Sequence, residues 1–264
     1  MSEPPERPLI ADARLSLVLR ARNAEAFLPE LVRGWAGFLA GRKCDFEILV
    51  VDDGSSDRTP AMAENLAKEL ENVRLLRPAS GQGFGASLRA GIESAQHPLL
   101  CYAPADRRYR PAALQKLLER INGVDLVTGC RAGRPVPGVL RGLGLIYRWL
   151  VWIVVGVGLE PLPGWPGWRG WLYQKLIRSI FGLRLHDVDC PIKLFRRSVL
   201  ERMPIQSDGP FVHAEVLAKA NFLGCLMDEA ALAIEPNGRE PGWWAELRRV
   251  YAHPEFGSQR PVGG

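Results

Sequence analysis

The stretch Glu47–Asp57, EILVVDDGSSD, decides how the chain is read. An apolar run, Ile48 to Val51, stops at two acids, a glycine and two serines. Such a run is the pattern of a strand buried on both faces of a parallel sheet, opening at its C-terminal end into a polar turn. In open α/β sheets, ligands bind just beyond the carboxyl ends of the strands. Asp52 and Asp53 stand there and could accept hydrogen bonds from a base or a ribose. The alternative is an acidic turn that only caps the helix starting near Thr59-Pro60, a job open to Asp57 or Thr59 as well.

Outward from this stretch, strands and helices alternate. Strands are expected at Leu15–Arg20, Phe46–Asp52, Val73–Arg77, Pro98–Ala103 and Val124–Gly129. Helices are expected at Ala24–Leu39, Thr59–Glu71, Phe84–Ala95 and Pro111–Ile121. This alternation predicts an α/β fold, a mostly parallel central sheet with helices on both faces. A dinucleotide-binding domain would alternate in the same way, but it needs GxGxxG directly after the first strand. Here that strand runs into Arg20-Ala21-Arg22-Asn23. The later GQGFG, residues 81–85, is either a turn needing a positive φ or backbone lying close to a sugar nucleotide.

In their order, these motifs resemble inverting family 2 glycosyltransferases, which have the GT-A fold and use nucleotide-diphosphate sugars. Leu15–Glu25, LSLVLRARNAE, sits where that family has its first strand and following turn. EILVVDDGSSD resembles its nucleotide-binding strand. Gly83–Ala95, GFGASLRAGIESA, resembles its Gly-x-Gly-x-Ala helix start. Tyr102–Pro111, YAPADRRYRP, stands at its Asp-x-Asp metal motif, and Asp187–Arg197, DVDCPIKLFRR, at the acceptor segment of its polyprenyl-phosphate branch. The resemblance implies that Ala21, Asn23, Glu25, Asp52, Asp53, Gly83 and Arg108 hold the nucleotide sugar. It implies that Asp106 is a catalytic ligand of Mg²⁺ or Mn²⁺, that Arg131 and Arg141 hold an acceptor phosphate, and that Asp187 orients or deprotonates the acceptor, with Asp189 a competitor. Several positions depart from the pattern. Pro104 replaces the first acid of Asp-x-Asp, and Arg107 and Arg108 follow the last one. Ala24 replaces the first of two glutamates, Arg20 a proline, Arg22 an aromatic residue, Gly81 an asparagine and Pro191 a glycine. An arginine beside Asp106 could itself bind diphosphate. A catalytically silent module binding nucleotide or a protein partner is the rival reading.

The 264 residues are expected to form one GT-A domain over 14–236, after a disordered lead, 1–13, and before a tail, 237–264. With 47% hydrophobic residues the core is well supplied, and a net charge of +5 gives no reason to expect nucleic acid. Five cysteines form no CxxC pair, so buried free thiols in a reducing compartment are expected. No signal-peptide pattern opens the chain, and a cytoplasmic location is expected. Between Asp125 and Asp187 the only acid is Glu160, against Arg131, Arg134, Arg141, Arg148, Arg169, Lys175, Arg178 and Arg184. Trp149, Trp152, Trp165, Trp168 and Trp171 lie there too. Trp149–Leu159, WLVWIVVGVGL, is uncharged but shorter than the roughly 20 residues that span a bilayer. An apolar insert of about 142–172 fits either a peripheral membrane contact on the inner face of the cytoplasmic membrane or a buried core helix. His213 reads as a helix-start or surface histidine, and Glu215 as a family glutamate without a derivable role.

Overall fold

The computed structural model describes residues 14–42, 44–78, 83–131, 177–178, 181–183 and 185–233. The lead, the tail, the insert, Gly81, Arg134, Arg141, Arg148 and the five insert tryptophans lie outside the described residues.

Among the described residues, seven strands form one sheet: β1 (Arg14–Ala21), β2 (Asp45–Asp52), β3 (Val73–Leu76), β4 (Leu99–Pro104), β5 (Leu126–Arg131), β6 (Lys193–Arg196) and β7 (Met227–Leu232). Their spatial order is β3-β2-β1-β4-β6-β5-β7. β6 runs antiparallel between β4 and β5, and the other pairings are parallel. The expected α/β class and mostly parallel sheet are found. β1 and β2 are apolar almost throughout because both of their faces are covered, as two-sided burial demands.

The helices divide between the faces. α1 (Leu28–Ala40), α2 (Thr59–Glu69) and α4 (Pro111–Leu118) pack with Leu15, Leu17, Leu19, Ile48 and Val50 on one side. α3 (Phe84–Ser94), the one-turn α5 (Arg197–Leu200) and α6 (Val212–Phe222) pack with Val18, Leu49, Val51, Leu100 and Phe195 on the other. Alternate residues of one strand therefore feed two cores.

α1 starts four residues later than its sequence predicts. The Ala24 N–H donates to Thr59 Oγ1 at 2.7 Å, and the Glu25 N–H to Asp57 at 3.2 Å. These bonds hold residues 24–27 as a turn against the start of α2. β1 lies between β2 and β4, so the chain leaves β1 to one side and returns on the other. A crevice opens at the carboxyl ends of strands at such a switch point. Asp52, Asp53, Asp106 and Arg131 all follow or end strands at this edge.

Candidate active site

The acidic turn after β2 is tied to the turn after β1 by side chains. Asn23, the described non-glycine residue with positive φ (50°), accepts the Ser56 N–H at 2.9 Å on Oδ1. Its own N–H donates to Ser55 Oγ at 3.1 Å. Glu25 accepts the Arg58 N–H at 2.8 Å. Asp57, one residue before the Arg58 N-cap, accepts the Thr59 N–H on Oδ1 at 2.9 Å and so satisfies the first N–H of α2. Asp57 thus relieves Asp52 and Asp53 of capping that helix. Asn23 and Glu25 serve the join between the two turns.

Asp52 and Asp53 have different surroundings. Asp52 is half-buried, and its Oδ1 accepts the Ser55 N–H at 3.2 Å. Asp53 is buried, and its N–H continues the ladder by donating to the Ala21 carbonyl at 2.9 Å. Its Oδ2 accepts Arg20 Nε at 2.8 Å, and its Oδ1 accepts the Gly83 N–H. The Arg20 guanidinium also lies 3.8 Å over the Phe84 ring, a cation–π contact. Asp53 is a buried tie between the ends of β1, β2 and α3. Asp52 keeps the more accessible carboxylate.

Gly83 has a φ of +121°, and an added Cβ would meet the Asp208 carbonyl oxygen. Gly85 donates its N–H to that same oxygen at 2.8 Å. The glycines therefore let α3 start in direct contact with the 204–208 segment. Glu215 holds that segment from below. Its fully buried carboxylate accepts the N–H groups of Gln206 (2.8 Å) and Ser207 (2.9 Å) and pairs with Lys219 at 2.9 Å. This is the role the sequence did not reveal.

Asp106 follows β4, where Ala105 donates its N–H to the Arg20 carbonyl at 2.7 Å. Both Asp106 oxygens face Arg108: Nε lies 3.0 Å from each, Nη2 bonds Oδ2, and the Arg108 N–H donates to Oδ1 at 2.9 Å. Burial alone would raise the Asp106 pKa, but the Arg108 bonds outweigh it and hold the carboxyl below its ordinary range. Among the described residues no group of three or more His, Cys, Asp or Glu side chains could hold a metal ion. Divalent cations of the Mg²⁺ type need several oxygen ligands. Such an ion commonly takes one or two carboxylates beside substrate phosphates and waters, but both Asp106 oxygens are held by Arg108, which a metal would have to displace, so Asp106 as it stands is a poor fit for one.

Arg131 ends β5 and meets Asp187 in a two-pronged pair, Nε to Oδ2 at 2.6 Å and Nη2 to Oδ1 at 2.7 Å. Both side chains are at most 5% exposed. Arg131 and Arg108 lie close enough for their charges to act on each other. The Asp187 N–H in turn donates to Glu229 of β7 at 2.9 Å. The carboxylate expected to serve as a base has both oxygens committed to a guanidinium.

Two residues behind this edge were misread or missed. His213 is buried at the start of α6, against Phe84 and Tyr102, with Nε2 making no hydrogen bond. Burial, then the charges of Lys193, Arg131 and Arg20, hold its pKa well below the ordinary histidine value. It is not a surface residue. Lys193 points from β6 into the interior, where Nζ donates to the carbonyls of Val188 and Cys190. Burial lowers its pKa to about 8. A lysine inside the apolar run of DVDCPIKLFRR was the available signal. The five cysteines are free; Cys101 and Cys190 are buried as expected, whereas Cys44, Cys130 and Cys225 are half-buried.

Comparisons with known proteins give the family and the fold. The glycosyl transferase family 2 profile matches residues 16–203. An undecaprenyl-phosphate 4-deoxy-4-formamido-L-arabinose transferase of Pseudomonas aeruginosa is 27% identical over 192 residues, 72% of this chain and 49% of its own. A polyprenol monophosphomannose synthase of Mycolicibacterium smegmatis is 30% identical over 165 residues, 61% of this chain and 54% of its own. The chain thus spans about half the length of these curated relatives. Among solved structures, the glucosyl-3-phosphoglycerate synthase of Mycobacterium tuberculosis superimposes with a TM-score of 0.61 at 19% identity, covering 92% of this chain and 79% of that one. That enzyme has also been crystallised with Mn²⁺ and UDP-glucose. The fold is GT-A, and the chain belongs to glycosyl transferase family 2.

Proposed function

We propose that this chain transfers a sugar, with inversion, from a nucleotide-diphosphate donor to a membrane-associated acceptor, polyprenyl phosphate. Asp52 accepts hydrogen bonds from the nucleoside, with Asp53 and the backbone around Ala21 and Gly83 shaping its seat. Arg108 faces the diphosphate and Arg131 the acceptor phosphate. An acceptor phosphate oxygen attacks the anomeric carbon. The bond from that carbon to the diphosphate breaks, and its electron pair leaves with the nucleoside diphosphate.

The observation that carries this reading is the Arg131–Asp187 pair. A hydroxyl acceptor needs a general base within hydrogen-bond reach, and a carboxylate bonded through both oxygens to a guanidinium is a poor one. A phosphate acceptor is already anionic and needs a cation at hand, which Arg131 supplies. Asp187 is then a positioning residue for Arg131. The relatives quoted above are named for undecaprenyl and polyprenol phosphate substrates, which supports the same acceptor class. For a cation such as Mg²⁺ or Mn²⁺, Asp106 is the acid that the sequence offers at the end of β4.

A peripheral seat on the inner face of the cytoplasmic membrane suits such an acceptor. No helix among the described residues is long and apolar enough to cross a bilayer. The sequence of 142–172, tryptophan beside arginine, supports contact with the interface. The test is to incubate the purified chain with UDP- and GDP-sugars and polyprenyl phosphate in vesicles. A sugar-labelled lipid phosphate is expected. Nucleotide binding without transfer to any acceptor would favour the silent module, and transfer to soluble acceptors alone would move the reaction off the membrane.

A further inference from the structure

We propose that Arg108 takes the place of a divalent cation in this chain, so that donor binding and sugar transfer need no metal. The inference rests on the functional reading above and deepens it at the leaving group.

A departing nucleoside diphosphate needs positive charge beside it, from a metal ion or from a fixed cationic side chain. At the end of β4 the chain offers the second. Position 104 is proline, so one acid, Asp106, remains in this segment. Its carboxylate is closed from one side by Nε and Nη2 of Arg108, two residues on. A metal ion at Asp106 would have to displace that guanidinium and would find few oxygens to replace it. Of the carboxylates at this edge, Asp53 is taken by Arg20 and Asp187 by Arg131, and Asp52 accepts a loop N–H after β2.

The pair is also built to present charge. The Arg108 side chain is 39% exposed and that of Asp106 29%, so the pair opens to solvent. Arg108 Nη1 makes no hydrogen bond among the described residues, which leaves its two N–H groups for phosphate oxygens. Asp106 holds the fork in place from behind, the arrangement that preorganises an arginine for phosphate. Arg131 lies within charge range of it. The Arg108 guanidinium can therefore receive the leaving diphosphate, with the buried Arg131 charge adding to the positive field behind it. As the anomeric bond breaks, the electron pair comes to rest on the diphosphate oxygen, where Arg108 supplies hydrogen bonds and permanent charge.

The experiment is isothermal titration of the full chain with UDP and with GDP, in EDTA and in saturating Mn²⁺, beside transfer assays under both conditions. The chain is expected to bind one of these nucleotides equally well in both and to turn over in EDTA. Arg108→Gln is expected to weaken binding in EDTA about tenfold or more, the effect of one charge-assisted hydrogen bond. Asp106→Asn, which removes the carboxylate that positions Arg108, is expected to weaken binding less than Arg108→Gln does, and by the same factor in EDTA and in Mn²⁺. Circular dichroism and melting of each variant without nucleotide report folding separately. Binding that requires Mn²⁺, or that Asp106→Asn abolishes while Arg108→Gln spares it, would overturn the inference alone. Failure of UDP and GDP to bind under either condition would overturn the functional reading, and the inference with it.

Discussion

Arg131 and Asp187, 56 positions apart in the chain, meet in a buried pair at 2.6 and 2.7 Å that joins the end of β5 to the segment leading into β6. Neither charge has water to fall back on, so each depends on the other. Removing one partner of a buried pair leaves an uncompensated charge and typically costs about 3–5 kcal/mol.

Asp187→Ala should therefore lower stability to urea by about 3–5 kcal/mol, and Arg131→Met by a similar amount. The double variant Arg131→Met/Asp187→Leu should recover much of the loss, because no charge is stranded. A double-mutant cycle by urea unfolding checks this, and additive losses would show that the two side chains act independently. Transfer to lipid phosphate should remain absent in the double variant, since stability returns without the cation.

Asp52 and Asp53 should separate under mutation despite being adjacent. Asp52→Ala should weaken nucleoside-diphosphate binding about tenfold with little change in melting temperature, because its carboxylate is half-buried and bonds one loop N–H. Asp53→Ala should lower the melting temperature as well, since it strands Arg20 and the Gly83 N–H. Calorimetric titration and melting curves on both variants decide it. Equal melting temperatures with equal binding losses would make Asp53 an open ligand residue after all.

His213 predicts a loss of stability in mild acid. Burial first, and then Lys193, Arg131 and Arg20, hold its folded pKa well below the ordinary 6.5. The unfolded imidazole takes a proton as pH falls through about 6.5, and the folded one does not. Stability present above that pH should then decline below it, by up to about 1.4 kcal/mol per pH unit from this group. His213→Phe should flatten that slope. Unfolding curves between neutral pH and mild acid, run on both proteins, measure the difference, and an unchanged slope would assign the acid sensitivity elsewhere.

Gly85→Ala should be severe. A Cβ there would collide with the Ser207 carbonyl, which Glu215 holds through the backbone of Gln206 and Ser207. The start of α3 would have to move away from the 204–208 segment, a backbone effect of several kcal/mol, on the order of 3. Gly91→Ala meets the Val18 side chain, at both methyls and Cβ, rather than backbone, and should cost less than Gly85→Ala. Side-by-side melting curves rank the two.

The periodicity of β1, β2, α2, α3 and α4 was legible because each strand is buried on both faces and each helix carries an apolar stripe, and both leave a local pattern. EILVVDDGSSD showed where a strand must end and why a ligand edge follows it. The ordered motifs showed the family, and the GT-A sheet followed from that. What local sequence could not show is which charges meet. Asp53 and Arg20 are 33 positions apart, and Asp187 and Arg131 are 56, so only the closed sheet brings them within bonding distance. Asp106 reads as a metal ligand only through the family resemblance, and its pairing with Arg108 at the end of β4 is visible only in the structure. His213 reads as a helix-start or surface residue because polarity is a property of the residue, and Lys193 carries no local sign of its burial beyond the apolar run around it. Their burial is a property of the contact between α6 and the sheet, which forms only when the chain has already folded.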